Sequence, residues 1–284
     1  MQKSFNGLGF VNIELSSRCN KNCWMCGRRK IDRDYKEIAA KYGDMKIALV
    51  QKIAEQLPPD IVVAFHWNGD GLIYPRLPLA LSFFDKQIRV LDTNGKLLVE
   101  KFDQIVDNLD TIALSIIEND PEGDSQYEII TQFLELKGDR KPLVILRLLG
   151  DVSKTDYLSE GQSFPHKKQR WLNLAEKHKC IIATRTLHDP LGSFKYKKSP
   201  TVPEIGICLE LLTHLAIDRF GDVSCCVRFD PERIAVIGNV NDTPLIDIWN
   251  GEKRRQILAK HKKGKRKDVL LCDKCEFWGV PTSS

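Results

Sequence analysis

Short apolar runs alternate with longer, partly charged stretches along the first two thirds of the chain. The apolar runs predict six strands, at residues 11–15, 61–66, 88–92, 111–116, 143–148 and 180–186. The stretches between them predict amphipathic helices, around residues 45–55, 77–84, 99–108, 126–136 and 169–177. Strands that alternate with helices in this way are typical of βα units on a parallel sheet. Six units are fewer than the eight of a closed barrel, so we expect an α/β fold with a partial, TIM-like (βα)6 barrel.

The pattern changes after about residue 200, where the apolar runs become shorter and cysteines more frequent. A hairpin is predicted from residues 215–218 and 222–226, with its turn at Phe220-Gly221. An apolar run at 237–240 and a helix over 245–260 follow it. We therefore expect two domains, a barrel over residues 1–200 and a small cysteine-rich domain, a β-hairpin plus a helix, over residues 201–284.

Composition indicates the class of protein and its compartment. Hydrophobic residues make up 42% of the 284 positions and charged residues 29%, which is ordinary for a soluble globular protein. The net charge of +5 is a mild basic excess, so a nucleic acid partner is not expected. No secretory signal and no run of membrane-spanning length are visible, which predicts a cytoplasmic protein without a membrane partner. Nine cysteines in that reducing compartment favour metal or redox chemistry over disulfides.

Three cysteines near the start of the chain carry the strongest chemical signal. Cys19, Cys23 and Cys26 have the spacing C-x3-C-x2-C. A loop of this length can bring each thiolate to a different iron of an iron–sulfur cube, which leaves the fourth iron open to bind a cofactor or substrate. A structural zinc site would need four protein ligands. A partial zinc site and three unrelated thiols are the alternatives.

A second set of cysteines lies in the C-terminal domain. Cys208, the adjacent pair Cys225-Cys226, and the terminal pair Cys272 and Cys275 offer four thiolates to a second cluster. Either member of the adjacent pair can supply the second ligand. Four cysteines also describe a zinc ribbon, which is the alternative for this domain.

The three-cysteine spacing, just after the apolar run at 10–15, resembles the radical S-adenosylmethionine (radical SAM) enzymes. In that family SAM binds the open iron through its amino and carboxylate groups. Reduction of the cluster cleaves SAM to methionine and a 5′-deoxyadenosyl radical, which abstracts a hydrogen atom from the substrate. The resemblance implies a six-stranded partial barrel, in agreement with the strand pattern, and a [4Fe-4S] cluster on Cys19, Cys23 and Cys26.

The C-terminal motifs resemble the SPASM/twitch extension of the same enzymes. Their order is Cys, Gly-Asp-Val-x-x-Cys, Ile-Gly-Asn-Val, Ile-Trp-Asn-Gly and Cys-x2-Cys. The full SPASM form carries more cysteines, so the resemblance implies the shorter twitch type with one auxiliary [4Fe-4S] cluster. The family pattern places a ligand five residues after the turn glycine, at Cys226. The implied ligands are therefore Cys208, Cys226, Cys272 and Cys275, and electron transfer is the implied role.

The resemblance also implies contacts to SAM at the strand ends. Residues 67–75 are similar to the family's Gly-Gly-Glu-Pro element, in which we expect Gly69 to approach SAM and Asp70 to accept its amino group. A plain turn rich in Asn, Gly and Asp is the alternative there. Thr93 and Asn94 match the family's Thr-Asn-Gly. The remaining implied contacts are Met25 beside the adenine, and Ser115 and Arg147 on strands four and five.

Four residues are candidates for substrate contact or proton transfer. Arg147 lies in an apolar run, where a charge is costly to bury unpaired, so it is expected to point inward toward an anion. Structural pairing with an internal acid is the alternative. Arg185, His188 and Asp189 cluster at the end of the sixth predicted strand, where parallel α/β folds collect their chemistry. A solvated loop is the alternative for these three.

These features predict a radical SAM oxidoreductase that needs two [4Fe-4S] clusters and SAM. We expect it to oxidise a small polar substrate, such as a sugar or cyclitol, by passing an electron to the auxiliary cluster. The alternatives are an epimerase that returns a hydrogen atom from the thiol of Cys180 or Cys225, modification of a peptide or protein side chain, and a zinc-binding module associated with nucleic acid.

A basic segment near the C-terminus suggests a protein partner. Residues 253–267 carry nine Lys or Arg residues without aromatic interleaving. This composition indicates a solvated helix face and loop, which could dock an acidic electron donor of the flavodoxin or ferredoxin kind.

Overall fold

The computed structural model describes residues 3–150, 163–186, 206–227 and 230–275. Nine strands form one sheet in the order β6-β5-β4-β3-β2-β1-β7-β8-β9. The strands are β1 Phe10–Ile13, β2 Val62–Ala64, β3 Ile88–Thr93, β4 Thr111–Ile117, β5 Leu143–Gly150, β6 Ile181–Thr186, β7 His214–Ile217, β8 Asp222–Ser224 and β9 Val236–Asn239. The helices are α1 Arg28–Asp34, α2 Lys36–Ala39, α3 Ile47–Ala54, α4 Leu77–Ser82, α5 Phe102–Ile105, α6 Gly123–Lys137, α7 Ser163–Lys177, α8 Leu209–Thr213, α9 Leu245–Trp249 and α10 Glu252–Lys262.

The predicted partial barrel is present as β1 to β6. These strands pair in parallel and in sequence order, with helices in the connections between them. All six strands fall where the apolar runs predict them, with ends that differ by at most two residues. Their carboxyl ends therefore meet along one edge, which is where the cysteine loop leaves β1.

The two faces of the sheet have different neighbours. Along β5, Val144, Leu146 and Leu148 are buried in the core beneath the helices. Ile145, Arg147 and Leu149 alternate with them and are only half-buried, so they face the interior of the barrel. On β1, Val11 and Ile13 are likewise core residues. This alternation places Asn12 of β1 and Arg147 of β5 on the face that lines the barrel interior.

The predicted C-terminal hairpin extends the barrel sheet. Strand β7 pairs in parallel with β1, and β8 and β9 follow in antiparallel order. Gly221 in the hairpin turn has φ +88°, and a β-carbon there would crowd Asn241 and Asn239. The cysteine loop and the hairpin thus stand at the ends of two adjacent strands. The predicted division at residue 200 remains a prediction, since the sheet continues from β1 into β7.

Two predicted helices were wrong in extent. The helix expected over 245–260 is two helices, because the chain becomes extended at Gly251 (ψ 161°) before α10 begins. The helix expected over 99–108 is only the four-residue α5, and Asp107 adopts φ +61° shortly after it. Within the described ranges, no helix combines the length and apolar character that a membrane crossing requires.

Candidate active site

The cysteine loop lies at the carboxyl end of β1, and its three thiols are half-buried neighbours. Burial raises the pKa of the Cys23 thiol to about 12, and the nearby charges of Cys26 and Cys19 act in the same direction. Burial also raises the pKa of Cys19. Thiols in such a group give up their protons when a metal cluster binds them as thiolates.

Asn94, just after β3, joins the cysteine loop directly. Its Nδ2 donates to the sulfur of Cys19 at 3.8 Å and to Oδ1 of Asn20 at 2.8 Å. Its own Oδ1 accepts from the backbone N–H of Lys96 at 2.9 Å, which fixes the orientation of the amide. The predicted Thr-Asn-Gly element therefore reaches a predicted cluster ligand.

A buried ion pair holds the other side of the loop. The ammonium of Lys21 donates to the carboxylate of Asp120, and both side chains are nearly inaccessible to solvent. The indole N–H of Trp24 donates to the carbonyl of Glu118 at 3.0 Å. Both contacts tie the cysteine loop to the segment after β4. Sequence reasoning missed them, because nothing local marks residues about a hundred positions apart as partners.

Gly69 packs against the backbone that leads into the cysteine loop. A β-carbon at this position would overlap the carbonyl of Ser16 and lie 2.5 Å from that of Arg18. The backbone N–H of Asp70 donates to the same Arg18 carbonyl at 2.8 Å. The segment that resembles Gly-Gly-Glu-Pro is therefore packed closely against the cysteine loop, and the approach of Gly69 to SAM remains a prediction.

The Asp70 carboxylate is buried and occupied by protein donors. It accepts from the backbone N–H of Leu72 and Asn94, each at 3.0 Å, and from the Thr93 hydroxyl at 2.8 Å. Burial raises its pKa, although these hydrogen bonds oppose the shift. The Asp70 carboxylate therefore links the segments that follow β2 and β3. Its contact to the SAM amino group, and that of Thr93 to SAM, remain predictions.

Arg147 takes part in a polar network inside the barrel. Its guanidinium forms an ion pair with Asp92, which also lies 3.4 Å from Nε2 of His66. Asn12 on β1 contacts the same ring nitrogen at 3.3 Å. The inward orientation of Arg147 is confirmed, and its anion is an internal acid, as in the structural alternative. Sequence reasoning missed the roles of His66 and Asp92. Each is a polar residue at the end of a predicted strand, and that position is the signal that could have identified them.

The remaining predicted site residues are placed only in part. Ser115 is the register partner of Arg147 across β4 and β5. Met25 is half-buried within the cysteine loop. Arg185 belongs to β6, but its side chain, and all of His188 and Asp189, lie outside the described residues. The roles proposed for these residues stay predictions.

The C-terminal cysteines also gather. Burial is the main cause that raises the pKa of the Cys272 thiol to about 12. The nearby charges of Cys225, Cys275 and Cys208 act in the same direction. Cys225, Cys226 and Cys272 line a cavity of about 390 Å³ between β8 and α10. Nη1 of the buried Arg266 donates to the carbonyls of both Cys272 and Cys275, which fixes the Cys-x2-Cys turn.

Both cysteine groups fit a cluster better than a single ion. Among the described residues, no three His, Cys, Asp or Glu side chains stand close enough to hold one metal ion. The cysteines of a cube each bind a different iron, so their sulfurs need not converge on one point. The N–H···S contact from Asn94 to Cys19 is also typical of cluster sites, where such bonds set the reduction potential.

A larger cavity, of about 610 Å³, lies between the cysteine loop and the hairpin. Ser17 lines it on the side of the loop, and Trp67 and Asn68 line it after β2. Ser224, which leads into Cys225, lines the side of the hairpin. Its charged lining residues are Glu14, Lys41, Asp218, Arg219, Asp222, Asp230 and Arg233. The cavity lining thus includes residues that precede each group of cysteines in the chain, Ser17 before Cys19 and Ser224 before Cys225.

Comparison with known proteins agrees with this geometry. Residues 208–276 match the SPASM family model, an iron–sulfur cluster-binding domain. The chain is 24% identical over 291 residues to the S-adenosyl-L-methionine-dependent 2-deoxy-scyllo-inosamine dehydrogenase of Niallia circulans, which covers 99% of this chain and 97% of that protein.

Solved structures share the whole fold. BtrN in complex with AdoMet and 2-DOIA matches with a TM-score of 0.59 and 18% identity over 100% of this chain and 98% of that chain. SuiB of Streptococcus suis, bound to its precursor peptide SuiA, matches with a TM-score of 0.60 and 13% identity, over 95% of this chain and 71% of that chain. Native anSMEcpe with bound AdoMet matches with a TM-score of 0.59 and 16% identity, over 94% of this chain and 88% of that chain.

These matches confirm the resemblance that the cysteine motifs carry. The chain has the radical SAM fold with a C-terminal SPASM domain. The family model bears out the predicted auxiliary iron–sulfur cluster in the C-terminal domain. The relative is named for its dependence on S-adenosyl-L-methionine, and two of the solved structures contain AdoMet.

Proposed function

We propose that this chain is a radical SAM dehydrogenase that oxidises an alcohol carbon of a small cyclitol or sugar. The predicted class, an oxidoreductase, agrees with a dehydrogenase relative that matches over 97% of its own length. That relative is named for 2-deoxy-scyllo-inosamine, an aminocyclitol. The match is the observation that carries the proposal, and the polar cavity at the ends of β1, β2 and the hairpin supports it.

The cavity suits a small polar ring. Its volume of about 610 Å³ is within the usual range for small-molecule sites. Carboxylates, guanidinium groups and the amide of Asn68 line it, and these groups can bind several hydroxyl or amino substituents at once. Each polar substituent of a cyclitol can then replace its hydrogen bonds to water with bonds to protein.

The proposed roles follow from the placement of the side chains. Cys19, Cys23 and Cys26 would hold the cluster that binds SAM, and bound SAM supplies the 5′-deoxyadenosyl radical. The SAM contacts are proposed at Met25, Gly69, Asp70, Thr93, Asn94, Ser115 and Arg147. Asn94 positions Cys19, and Gly69 lets the strand-two segment approach the loop. Cys208, Cys226, Cys272 and Cys275 would hold the auxiliary cluster beyond β8.

Oxidation is favoured over epimerisation by the position of the spare thiols. An epimerase of the kind considered needs a cysteine near the substrate radical. No cysteine is among the described residues that line the large cavity. Cys225 lines the smaller cavity behind β8, and Cys180 precedes β6 at the opposite end of the strand from the site.

A flavodoxin or ferredoxin-type protein is the proposed electron donor. Of the nine basic residues in 253–267, Arg254 and Arg266 are buried, and the other seven are exposed. Lys253 and Lys260 border the cavity beside the auxiliary cysteines. Exposed positive charge of this kind attracts an acidic carrier protein and increases the association rate.

The test uses anaerobically reconstituted protein with SAM and a panel of cyclitols, aminocyclitols and sugars deuterated at their carbinol carbons, with a set of peptides tested in parallel. The proposal predicts that deuterium appears in 5′-deoxyadenosine and that the product lacks two hydrogen atoms. Product of unchanged mass with hydrogen from solvent at an inverted carbon would indicate an epimerase. Turnover of peptides alone would indicate side-chain modification, and no cleavage of SAM would contradict the radical chemistry.

A further inference from the structure

Glu14 is a buried carboxylate at the mouth of the barrel to which the proposed function assigns no role. It follows the last residue of β1 and is only 4% exposed. Side chains alternate along this strand, so Glu14 lies on the same face as Asn12, which reaches His66 inside the barrel. It is also a lining residue of the large cavity.

The Glu14 carboxylate accepts three hydrogen bonds from the protein. Oε1 accepts from the backbone N–H of Asn68 at 3.3 Å, and Oε2 accepts from that of Arg219 at 3.4 Å. The Asn68 side chain adds the third bond. The two backbone bonds are long, and in the described part of the chain no Lys or Arg forms an ion pair with the carboxylate. A carboxylate has about four lone-pair positions, so this one keeps capacity to bind a ligand.

Asp218 lines the same cavity, but the protein holds its carboxylate more firmly than that of Glu14. Its carboxylate pairs with Arg233 and accepts from the backbone N–H of Phe220 and Asp222, each at 2.9 Å. Asp218 therefore serves the hairpin turn. Glu14 is the buried acid of this cavity whose oxygens remain available to a substrate.

The surroundings of Glu14 bring the pKa of its carboxyl group close to neutral pH. Burial raises its pKa to about 7, the charge of Asp218 adds to the increase, and hydrogen bonds from Asn68 and Arg219 oppose it. The Arg219 guanidinium also lines the cavity and interacts electrostatically with Glu14. The remaining charged groups of the cavity are Lys41, Asp222, Asp230 and Arg233. A general base works best when its pKa is close to the working pH.

The other candidates from the sequence meet this requirement less well. An arginine stays protonated in proteins, so Arg147 and Arg185 can bind an oxygen but are poor proton acceptors. Arg147 is moreover paired with Asp92. His188 and Asp189 lie outside the described residues.

We propose that Glu14 is the catalytic base that takes the hydroxyl proton of the substrate during its oxidation. This inference rests on the proposed dehydrogenase function. Loss of a hydrogen atom to the 5′-deoxyadenosyl radical leaves a carbon radical that still carries its hydroxyl group. The Glu14 carboxylate accepts the O–H proton, and the substrate loses one electron to an oxidised [4Fe-4S] cluster as the C=O bond forms. The proton then leaves Glu14 for solvent, and the carboxylate is restored.

The test compares Glu14→Gln with Asp218→Asn in the reconstituted enzyme. Single turnovers are started with dithionite on deuterated 2-deoxy-scyllo-inosamine, or on whichever cyclitol the wild type oxidises. Both 5′-deoxyadenosine and the carbonyl product are measured. For Glu14→Gln we expect hydrogen abstraction to continue while carbonyl formation slows by about a hundredfold or more, since general bases contribute roughly 10² to 10⁴. Asp218→Asn should lower both products in parallel.

A spectroscopic measurement checks the same group without turnover. Infrared difference spectra of the wild type against Glu14→Gln should show a protonated carboxyl band that disappears as pH rises through neutrality. Parallel loss of both products in Glu14→Gln, or no such band, would overturn the role of Glu14. If the wild type forms no carbonyl product from any cyclitol, the dehydrogenase proposal fails first, and this inference fails with it.

Discussion

The side-chain amide of Asn94 donates a hydrogen bond to the sulfur of Cys19 at 3.8 Å. This contact joins two motifs that are 75 residues apart in the chain, the cysteine loop after β1 and the Thr-Asn-Gly turn after β3. Hydrogen bonds to a cluster sulfur stabilise the more negative, reduced state of the cluster. Asn94 is therefore placed to act on the cluster that Cys19 is proposed to bind, in addition to its proposed contact to SAM.

Replacing Asn94 by Leu should make the N-terminal cluster harder to reduce. The variant loses the N–H donor to Cys19 and the bond to Asn20, so the midpoint potential should become more negative while both clusters still assemble. A redox titration followed by electron paramagnetic resonance measures this shift. Asn173→Leu on the exposed side of α7 is the control and should leave the potential unchanged. A potential that is the same in all three proteins would contradict the contact.

The buried pair of Lys21 and Asp120 should behave as one unit in stability measurements. Lys21→Met or Asp120→Leu alone leaves an uncompensated buried charge, which typically costs about 3–5 kcal/mol. The double variant removes both charges and should recover much of that loss. Urea unfolding of the four proteins gives the coupling energy. Additive losses in the double variant would show that the two residues do not interact.

Gly69 should be intolerant of even one added methyl group. A β-carbon there meets the backbone carbonyls of Ser16 and Arg18, so the cysteine loop would have to move. Gly69→Ala should lower stability by roughly 1–3 kcal/mol and reduce iron at the N-terminal site. Gly9→Ala, where nothing lies within 4 Å of an added β-carbon, is the matched control. Equal iron content in the two variants would argue against the close approach.

Cys226 and Cys225 should differ in what their loss does to the auxiliary cluster. The Cys225 thiol is buried and lies 3.9 Å from the carbonyl of Ala235, to which its S–H donates. A cluster ligand must be a thiolate, so we keep Cys226 as the ligand. Cys226→Ala should lose about four irons per chain, and Cys225→Ala should lose none. The reverse result would reassign the ligand to Cys225, which interacts electrostatically with Cys208 and Cys272.

The raised pKa of Glu14 has a consequence for stability against pH. Burial raises its pKa from the ordinary 4.5 to about 7, so between these values the folded state holds a proton that the unfolded chain has released. This contribution is complete below pH 4.5 and is lost as pH rises through about 7, on the order of 3 kcal/mol in total. Chemical unfolding at pH 5 and pH 8 should show this slope, and Glu14→Gln should reduce it. An unchanged slope in the variant would rule out the shift.

Local patterns predicted the framework because local physics forms it. The strand at 88–92 appears as β3, and 143–148 appears within β5, since alternating or continuous apolar residues suit a half-buried or buried strand. The turn at Phe220-Gly221 was predictable because glycine favours the left-handed conformation found there. The helix over 245–260 was wrong because its apolar periodicity continues across Gly251, where the backbone turns.

The site was predictable only where a motif marked it. Three cysteines at fixed spacing indicate a cluster, but Lys21 and Asp120 meet only because the fold joins the loops after β1 and β4. The pairing of Arg147 with Asp92 likewise depends on the barrel interior. Glu14 did carry a signal, since an acid two residues after Asn12 in an apolar strand must face the same side as that asparagine.

Iron content is the most direct test of the central claim, that the chain holds two independent [4Fe-4S] clusters. The measurement is iron per chain after anaerobic reconstitution, in the wild type and in a variant with Cys19, Cys23 and Cys26 all replaced by Ala. We predict about eight irons in the wild type and about four in the variant, because the auxiliary cluster does not depend on the N-terminal loop. About four irons that fall to none would leave no auxiliary cluster to accept the substrate electron, and bound zinc with little iron in both proteins would contradict the radical SAM account itself.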